Sequence, residues 1–230
     1  MRRILLLGKN GQLGWELNRT LITLGDVIAL DYPEIDFTKT ETIRSIIREI
    51  KPHVILNAVA YTNVDKAEEE PEIAKLVNTV SPLLIAEEAN RLQSMFIHYS
   101  TDYVFDGTKG QPYLETDIPN PLNIYGETKL EAERGIAEIG KKYFVFRTSW
   151  LYSLRQGGFV SKVLEWAKKT SELKIVNDQF GSPTWSRALA EATAQIICND
   201  DISNQNFGVY NLAGNGGCSR YEWAKAILEL

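Results

Sequence analysis

Short apolar runs recur along the first 150 residues, separated by longer stretches whose apolar residues return at helical spacing. The runs are RILLL (3–7), DVIAL (26–30), HVILNA (53–58), MFIHYS (95–100) and YFVFRTS (143–149). Between them lie helical patterns at about 11–24, at 41–50 with Ile43, Ile46, Ile47 and Ile50 on one face, through 72–92, and at 123–139. Strands that are apolar on both sides need cover on both sides, so the alternation predicts a parallel sheet with helices on its two faces. Pro82 sits inside the third helical pattern, where its missing N–H predicts a kink or a new first turn.

After Trp150 the rhythm loosens. A helix near 158–169, a short strand near 173–176, a helix near 184–198, a strand at 209–213 and a final helix from Ser219 complete the chain. Ser219 and Glu222 have the spacing of a capping box. The expected organisation is a dinucleotide-binding domain over 1–150 and a smaller substrate-binding part over 151–230, with some return to the core fold.

The 230 residues are 44% hydrophobic, enough for a substantial core. A net charge of −5 argues against nucleic-acid binding, which leaves a basic footprint. No run approaches the ~18 apolar residues of a membrane span. The apolar run Ile4–Leu7 after two arginines is too short for a signal peptide, and the two cysteines, Cys198 and Cys218, form no CxxC pair. A cytoplasmic protein is expected, with no nucleic-acid or membrane partner.

The segment GKNGQLG places Gly8, Gly11 and Gly14 directly after the first strand and at the opening of the first helix. Glycines there permit a tight turn and close backbone approach, and a helix N-terminus favours a pyrophosphate. Strand, loop and helix in this order point to a Rossmann-type doubly wound α/β fold binding NADPH or NADH. Asp31 follows the loop at the end of the second strand, where an acid bonds a ribose 2′-hydroxyl. Lys9 could instead attract a 2′-phosphate, so both cofactors stay open. Asp36, in the DFT segment, is either a second acidic contact or part of a helix N-cap. The small residues of NAVAYT (57–62) either admit a ligand at the strand's C-terminal end or pack helix on sheet.

Thr101 and Asp102 end the fourth strand, and Tyr125 and Lys129 lie one helical turn apart on the next helix. A free phenol has pKa ≈ 10, too high for ready proton exchange at neutral pH. A neighbouring cation lowers it, so Lys129 is expected to activate Tyr125 as an acid or base toward a carbonyl or hydroxyl. Thr101 could bond the reacting oxygen. Trp150 on its own reads as a core residue at a strand end. His98 reads as a strand residue, and NDQFGSPTW (177–185) as either a loop or a bridge between the two parts.

GKNGQLGWEL, NAVAYTNVDKAE, HYSTDYVFDG, PLNIYGETKLEAE, FRTSWLY and NDQFGSPT together resemble the dTDP-4-dehydrorhamnose reductases, within the extended short-chain dehydrogenases/reductases. The resemblance implies NAD(P)H-dependent reduction of the 4-keto group of dTDP-4-dehydro-L-rhamnose to dTDP-L-rhamnose. It assigns Tyr125 as proton donor, Lys129 as its support and Thr101 as third partner. It places Asp102 and Trp150 on the sugar, and Gly11, Gln12, Leu13, Asp31, Asp36, Phe37, Ala60, Tyr61, Thr62, Tyr99 and Lys129 around the cofactor. It also implies some tens of residues beyond Leu230, and it is compatible with a homodimer. Some members hold Mg2+ through glutamates at a dimer contact. Glu16 matches one such position, but Arg187 stands at another, so the sequence does not support a metal. Two other functions fit the motifs. One is a nucleotide-sugar epimerase or dehydratase, although Asp102 is followed by Tyr103 where dehydratases tend to carry a glutamate. The other is a non-catalytic NADP(H)-binding regulatory subunit such as that of methionine adenosyltransferase.

Overall fold

The computed structural model describes residues 1–153, 155, 157–199 and 206–229. Its first half alternates strand and helix: β1 (Arg3–Leu7), α1 (Gln12–Leu21), β2 (Asp26–Leu30), α2 (Thr40–Ile50), β3 (Val54–Asn57), α3 (Val64–Glu69), α4 (Pro71–Lys75), α5 (Ser81–Leu92), β4 (Met95–Thr101), α6 (Ile124–Ile139) and β5 (Tyr143–Thr148). The second half adds β6 (Leu151–Tyr152), α7 (Phe159–Ala167), β7 (Phe180–Gly181), β8 (Thr184–Trp185), α8 (Ser186–Cys198), β9 (Gly208–Asn211), β10 (Cys218–Ser219) and α9 (Arg220–Glu229).

Six strands form one parallel sheet in the order β2-β1-β3-β4-β5-β9. The chain leaves β1 toward one edge, forms β2, then crosses back to place β3 on the other side of β1. That reversal opens a crevice at the C-terminal ends of β1 and β3, the place where open α/β sheets bind ligands. Alternate strand residues feed two cores. Leu5, Leu7 and Ile55 join Ile43, Ile47, Leu84, Ile85 and Ile136 on one face. Ile4, Leu6, Val54 and Leu56 join Leu13, Leu17, Leu189 and Ile197 on the other. Ile4 through Leu7 are completely buried, each worth about 1.5–3 kcal/mol on transfer from water.

The second half does not stay apart from this sheet. Helix α8 puts Leu189, Ala190, Ala194 and Ile197 into the same core as α1, and β9 pairs with β5 as the edge strand. The remaining pieces, β6, α7, β7, β8, β10 and α9, make a smaller layer over the C-terminal end of the sheet. The capping box at its last helix forms in both directions. Ser219 N–H donates to Glu222 Oε2 at 2.7 Å, and Glu222 N–H donates to Ser219 Oγ at 3.1 Å.

One element differs from the sequence expectation. Residues 173–176 form no strand. The Val176 carbonyl accepts the Tyr221 N–H, and the ladder forms beyond the Asn177-Asp178 turn, where β7 pairs antiparallel with β10. The long pattern over 72–92 stays helical, with the new first turn that Pro82 predicts. A π-helical turn, Leu76–Val80, separates α4 from α5, and Pro82 lies in the first turn of α5. Widening the spiral there lets the proline sit where no N–H is required.

Candidate active site

The loop after β1 turns back on α1. Gly8 has φ +90°, and a Cβ on Gly14 would stand 1.8 Å from the Gly8 carbonyl oxygen, so no side chain fits at position 14. Gly11 caps α1 without a side-chain hydrogen bond. The first turn of a helix has N–H groups with no intrahelical partner, and they suit a phosphate. The Leu13 side chain is buried in the core beneath, so only its backbone faces this loop. Gln12 reaches across, accepting from Ser153 Oγ at 3.2 Å, and thereby joins the loop to the start of the smaller layer.

Asp31 accepts the Asn10 N–H at 2.9 Å and the Tyr32 N–H at 2.7 Å. It braces the glycine loop and keeps lone pairs for a ribose hydroxyl. Lys9 pairs with Glu34 at 2.5 Å, so its charge is already engaged. Asp36 accepts both the N–H and the hydroxyl of Thr38. It does not cap α2, whose N-cap is Lys39. Phe37 is a core side chain, and its carbonyl accepts the Ser81 hydroxyl at 2.7 Å. Ala60 and Tyr61 are half-buried and Thr62 is exposed along the loop after β3. These features fit a dinucleotide lying over the uncapped helix end with its ribose toward Asp31.

Asn78, in the π-helical turn, holds that loop to α6. Its Oδ1 accepts the Tyr61 N–H at 2.8 Å, and its Nδ2 donates to the Tyr61 carbonyl and to Thr128 Oγ1, each at 3.2 Å. Asn78 is fully buried. The proline inside a helical pattern was the only sequence signal of this device.

Helix α6 begins where Asn123 Oδ1 accepts the Gly126 N–H at 2.8 Å, which puts Tyr125 in the first turn. A Cβ on Gly126 would lie 2.2 Å from the Tyr103 carbonyl oxygen. The glycine lets the helix press against the turn that follows β4. Tyr125 and Tyr103 then meet edge to face at 5.6 Å, and the Tyr125 phenol is brought beside Thr101. Thr101 donates its own proton to Asp102 Oδ1 at 3.1 Å and accepts the Tyr103 N–H at 3.2 Å. Thr101, Asp102 and Tyr125 are thus gathered at the sheet's C-terminal edge.

Lys129 is the exception to the sequence expectation. Its side chain is buried, and Nζ donates to the Tyr99 carbonyl at 2.6 Å, with His98 Nε2 at 3.0 Å. Burial pushes the ammonium down to about 7, against the opposing charge of Glu133. Tyr125 moves in the direction opposite to the one expected. Burial raises the phenol well above its ordinary value, the Thr101 hydrogen bond opposes this, and Asp102 and Tyr103 add to it. Desolvation outweighs any help from Lys129, so the phenol is held protonated. Tyr99 contributes its carbonyl to the site, whereas its ring packs near Phe146 and its hydroxyl meets Thr193 at 3.0 Å in the core.

Asp102 is raised to about 6, first by burial, with Thr101 and Arg220 opposing. Its carboxyl is neutral below about pH 4 in folded and unfolded chain alike, and charged in both above 6. The stability it contributes is therefore greatest in acid and is lost as pH rises through about 6. Asp102→Asn is expected to raise Tm at about pH 8 and to leave it little changed at about pH 4, by thermal melts at the two pH values. Equal shifts at both would disprove the burial account.

Arg220, at the start of α9, was not singled out from the sequence, because nothing local marks an arginine far along the chain. Its guanidinium lies 3.7 Å from the Trp150 ring centroid and 4.9 Å from that of Phe159. Trp150 has φ +43° and stacks on Trp223 at 5.4 Å. Ser149 Oγ donates to the Ser182 carbonyl at 2.7 Å, and the Thr184 N–H donates to the Trp150 carbonyl at 3.2 Å. The NDQFGSPTW segment therefore ties the smaller layer to the end of β5. Elsewhere, Glu16 is buried with Arg187 at 3.9 Å, and Arg187 also holds Glu191 at 2.6 Å. No described helix is long and apolar enough to cross a membrane.

The model of the RmlD substrate binding domain family matches residues 1–230. The dTDP-4-dehydrorhamnose reductase of Escherichia coli strain K12 is 45% identical over 230 residues, covering 98% of this chain and 77% of that protein. The enzyme of the same name from Burkholderia thailandensis is 43% identical over the same shares. Among solved structures, the Bacillus anthracis dTDP-4-dehydrorhamnose reductase in complex with NADP superposes with a TM-score of 0.94 at 34% identity, covering 100% of this chain and 81% of that one. The chain belongs to the dTDP-4-dehydrorhamnose reductase family of extended short-chain dehydrogenases/reductases, the family that the RmlD substrate binding domain defines.

Proposed function

We propose that the chain reduces the 4-keto group of dTDP-4-dehydro-L-rhamnose to dTDP-L-rhamnose at the expense of NADPH or NADH. The observation that carries this reading is the gathering of Thr101, Asp102 and Tyr125 at the sheet edge beside the uncapped N-terminus of α1. Reduced nicotinamide, when bound, supplies the hydride. The backbone of Gly11, Gln12 and Leu13 holds the pyrophosphate, Asp31 and Asp36 hold the adenosine ribose, and the loop Ala60–Thr62 borders the dinucleotide. Tyr125 donates its proton to the sugar oxygen as charge develops there. The raised phenol suits that role, because a donor in a reduction must carry its proton at neutral pH. Thr101 bonds the same oxygen and fixes its direction. Lys129 presents an N–H toward the nicotinamide ribose.

The nucleotide sugar lies between Asp102 and the smaller layer, formed by parts of 151–185 and 212–229. Trp150 and Arg220 make a ring-and-cation surface there suited to a sugar ring carrying a diphosphate. The test is oxidation of NADPH and NADH followed by nicotinamide absorbance with dTDP-4-dehydro-L-rhamnose present. Consumption that depends on the sugar is expected. Demonstrable cofactor binding with no consumption would refute the assignment.

A further inference from the structure

Behind the catalytic helix a buried chain of polar groups runs from Lys129 to two residues that the mechanism above does not use. Asn57 ends β3, His98 lies inside β4 and Lys129 projects from α6, and all three are at most 1% exposed. The Val59 N–H donates to Asn57 Oδ1 at 3.1 Å. That bond fixes the amide, so Nδ2 is the atom facing His98 Nδ1 at 3.3 Å. An amide nitrogen only donates, and His98 Nδ1 must therefore accept. A neutral imidazole with a bare Nδ1 carries its proton on Nε2. Nε2 lies 3.0 Å from Lys129 Nζ. An ammonium has no lone pair to receive that proton, whereas an amine has one.

We infer that His98, oriented by Asn57, is a positioning residue that presents Nε2–H to Lys129 and so selects the unprotonated amine. The inference rests on the reductase reading only in giving Lys129 a place in the site; the wiring itself is a property of the fold. The amine keeps one N–H for the Tyr99 carbonyl at 2.6 Å and one for a ligand. Protonating Lys129 would set two donors against each other along the chain, and burying unpaired donors costs free energy. The other groups facing Lys129 are Glu133, on its own helix and paired with Arg147 of β5 at 2.6 Å, and Tyr125 one turn earlier. Glu133 favours the ammonium, so the histidine works against it. Burial, the largest cause, holds His98 well below its ordinary range.

The wiring is read directly by 15N NMR of histidine-labelled protein. The chain has two histidines, and His53→Gln, at an exposed position, leaves His98 alone in the spectrum. A protonated Nε2 and a bare Nδ1 are expected above neutrality, from about pH 8 to about 9, where Lys129 is the amine. The Nδ1–H tautomer, or an imidazolium in that interval, overturns the inference. In lysine-13Cε spectra one resonance, absent from Lys129→Met, is expected to titrate near neutrality. His98→Gln offers a carbonyl to the ammonium and should move that titration up by at least about one pH unit. A folded His98→Gln protein with the titration unmoved would also overturn it. If that variant does not fold, the wild-type tautomer decides. Both readouts are independent of turnover, so an inactive protein with the stated tautomer sinks the reductase reading alone.

Discussion

Tyr125→Phe is expected to lower kcat for sugar reduction by about 10²–10⁴-fold while NADPH still binds. The substitution removes one oxygen. The ring keeps its edge-to-face contact with Tyr103, and Thr101 keeps its bond to Asp102. What disappears is the only proton in the group placed to leave with the developing alkoxide. Thr101 cannot replace it: its hydroxyl can turn from Asp102 to bond the oxygen, but an alkyl hydroxyl is far too weak an acid to give up its proton. The measurement is sugar-dependent NADPH oxidation, paired with a fluorescence titration of NADPH. A fall of less than about tenfold, with binding intact, would remove Tyr125 from the proton-donor role. Because burial raises the phenol, wild-type reduction should not lose its proton donor on the alkaline side until well above neutral pH.

Glu133→Ala is expected to destabilise the fold by about 3–5 kcal/mol, read as a lower urea midpoint with an unchanged slope. Glu133 and Arg147 are 2% and 7% exposed and share three hydrogen bonds of 2.6–3.1 Å. Removing the carboxylate leaves a guanidinium in the interior, with the Phe105 ring, 5.0 Å away, as its remaining cover. The cost comes from that stranded charge more than from the lost attraction. Replacing both partners, as Glu133→Leu with Arg147→Met, should therefore recover most of the loss. Additive losses in the double variant would contradict this account. The pair joins α6 to β5, so the same contact that stabilises the core also sets the helix bearing Tyr125 and Lys129.

The alternation of RILLL, DVIAL, HVILNA, MFIHYS and YFVFRTS with helical patterns determined the sheet, because fully buried parallel strands must be apolar on both faces. The tight glycine loop and the place of Asp31 beside it were legible for a similar reason: both depend on the backbone they sit on, a strand end and a helix start, which local pattern reveals. The spacing of Tyr125 and Lys129 was legible as one helical turn. Its consequence was not. Whether a lysine lowers a tyrosine's pKa depends on how much water each loses and on what else each touches, and neither is written in spacing. Only the packed structure directs Lys129 to the Tyr99 carbonyl and His98 and leaves the phenol raised by burial. The signal for His98 was present, a lone ionisable residue at an inward position of MFIHYS, but its partners come from β3 and α6. Arg220 reaches Trp150 from the other end of the chain in the same way. The sequence by itself determined the sheet, the nucleotide loop and the identity of the polar set, all of which follow from short-range periodicity and backbone geometry. The tertiary structure alone decided protonation states and partners, because desolvation and hydrogen-bond direction depend on groups that only folding brings together.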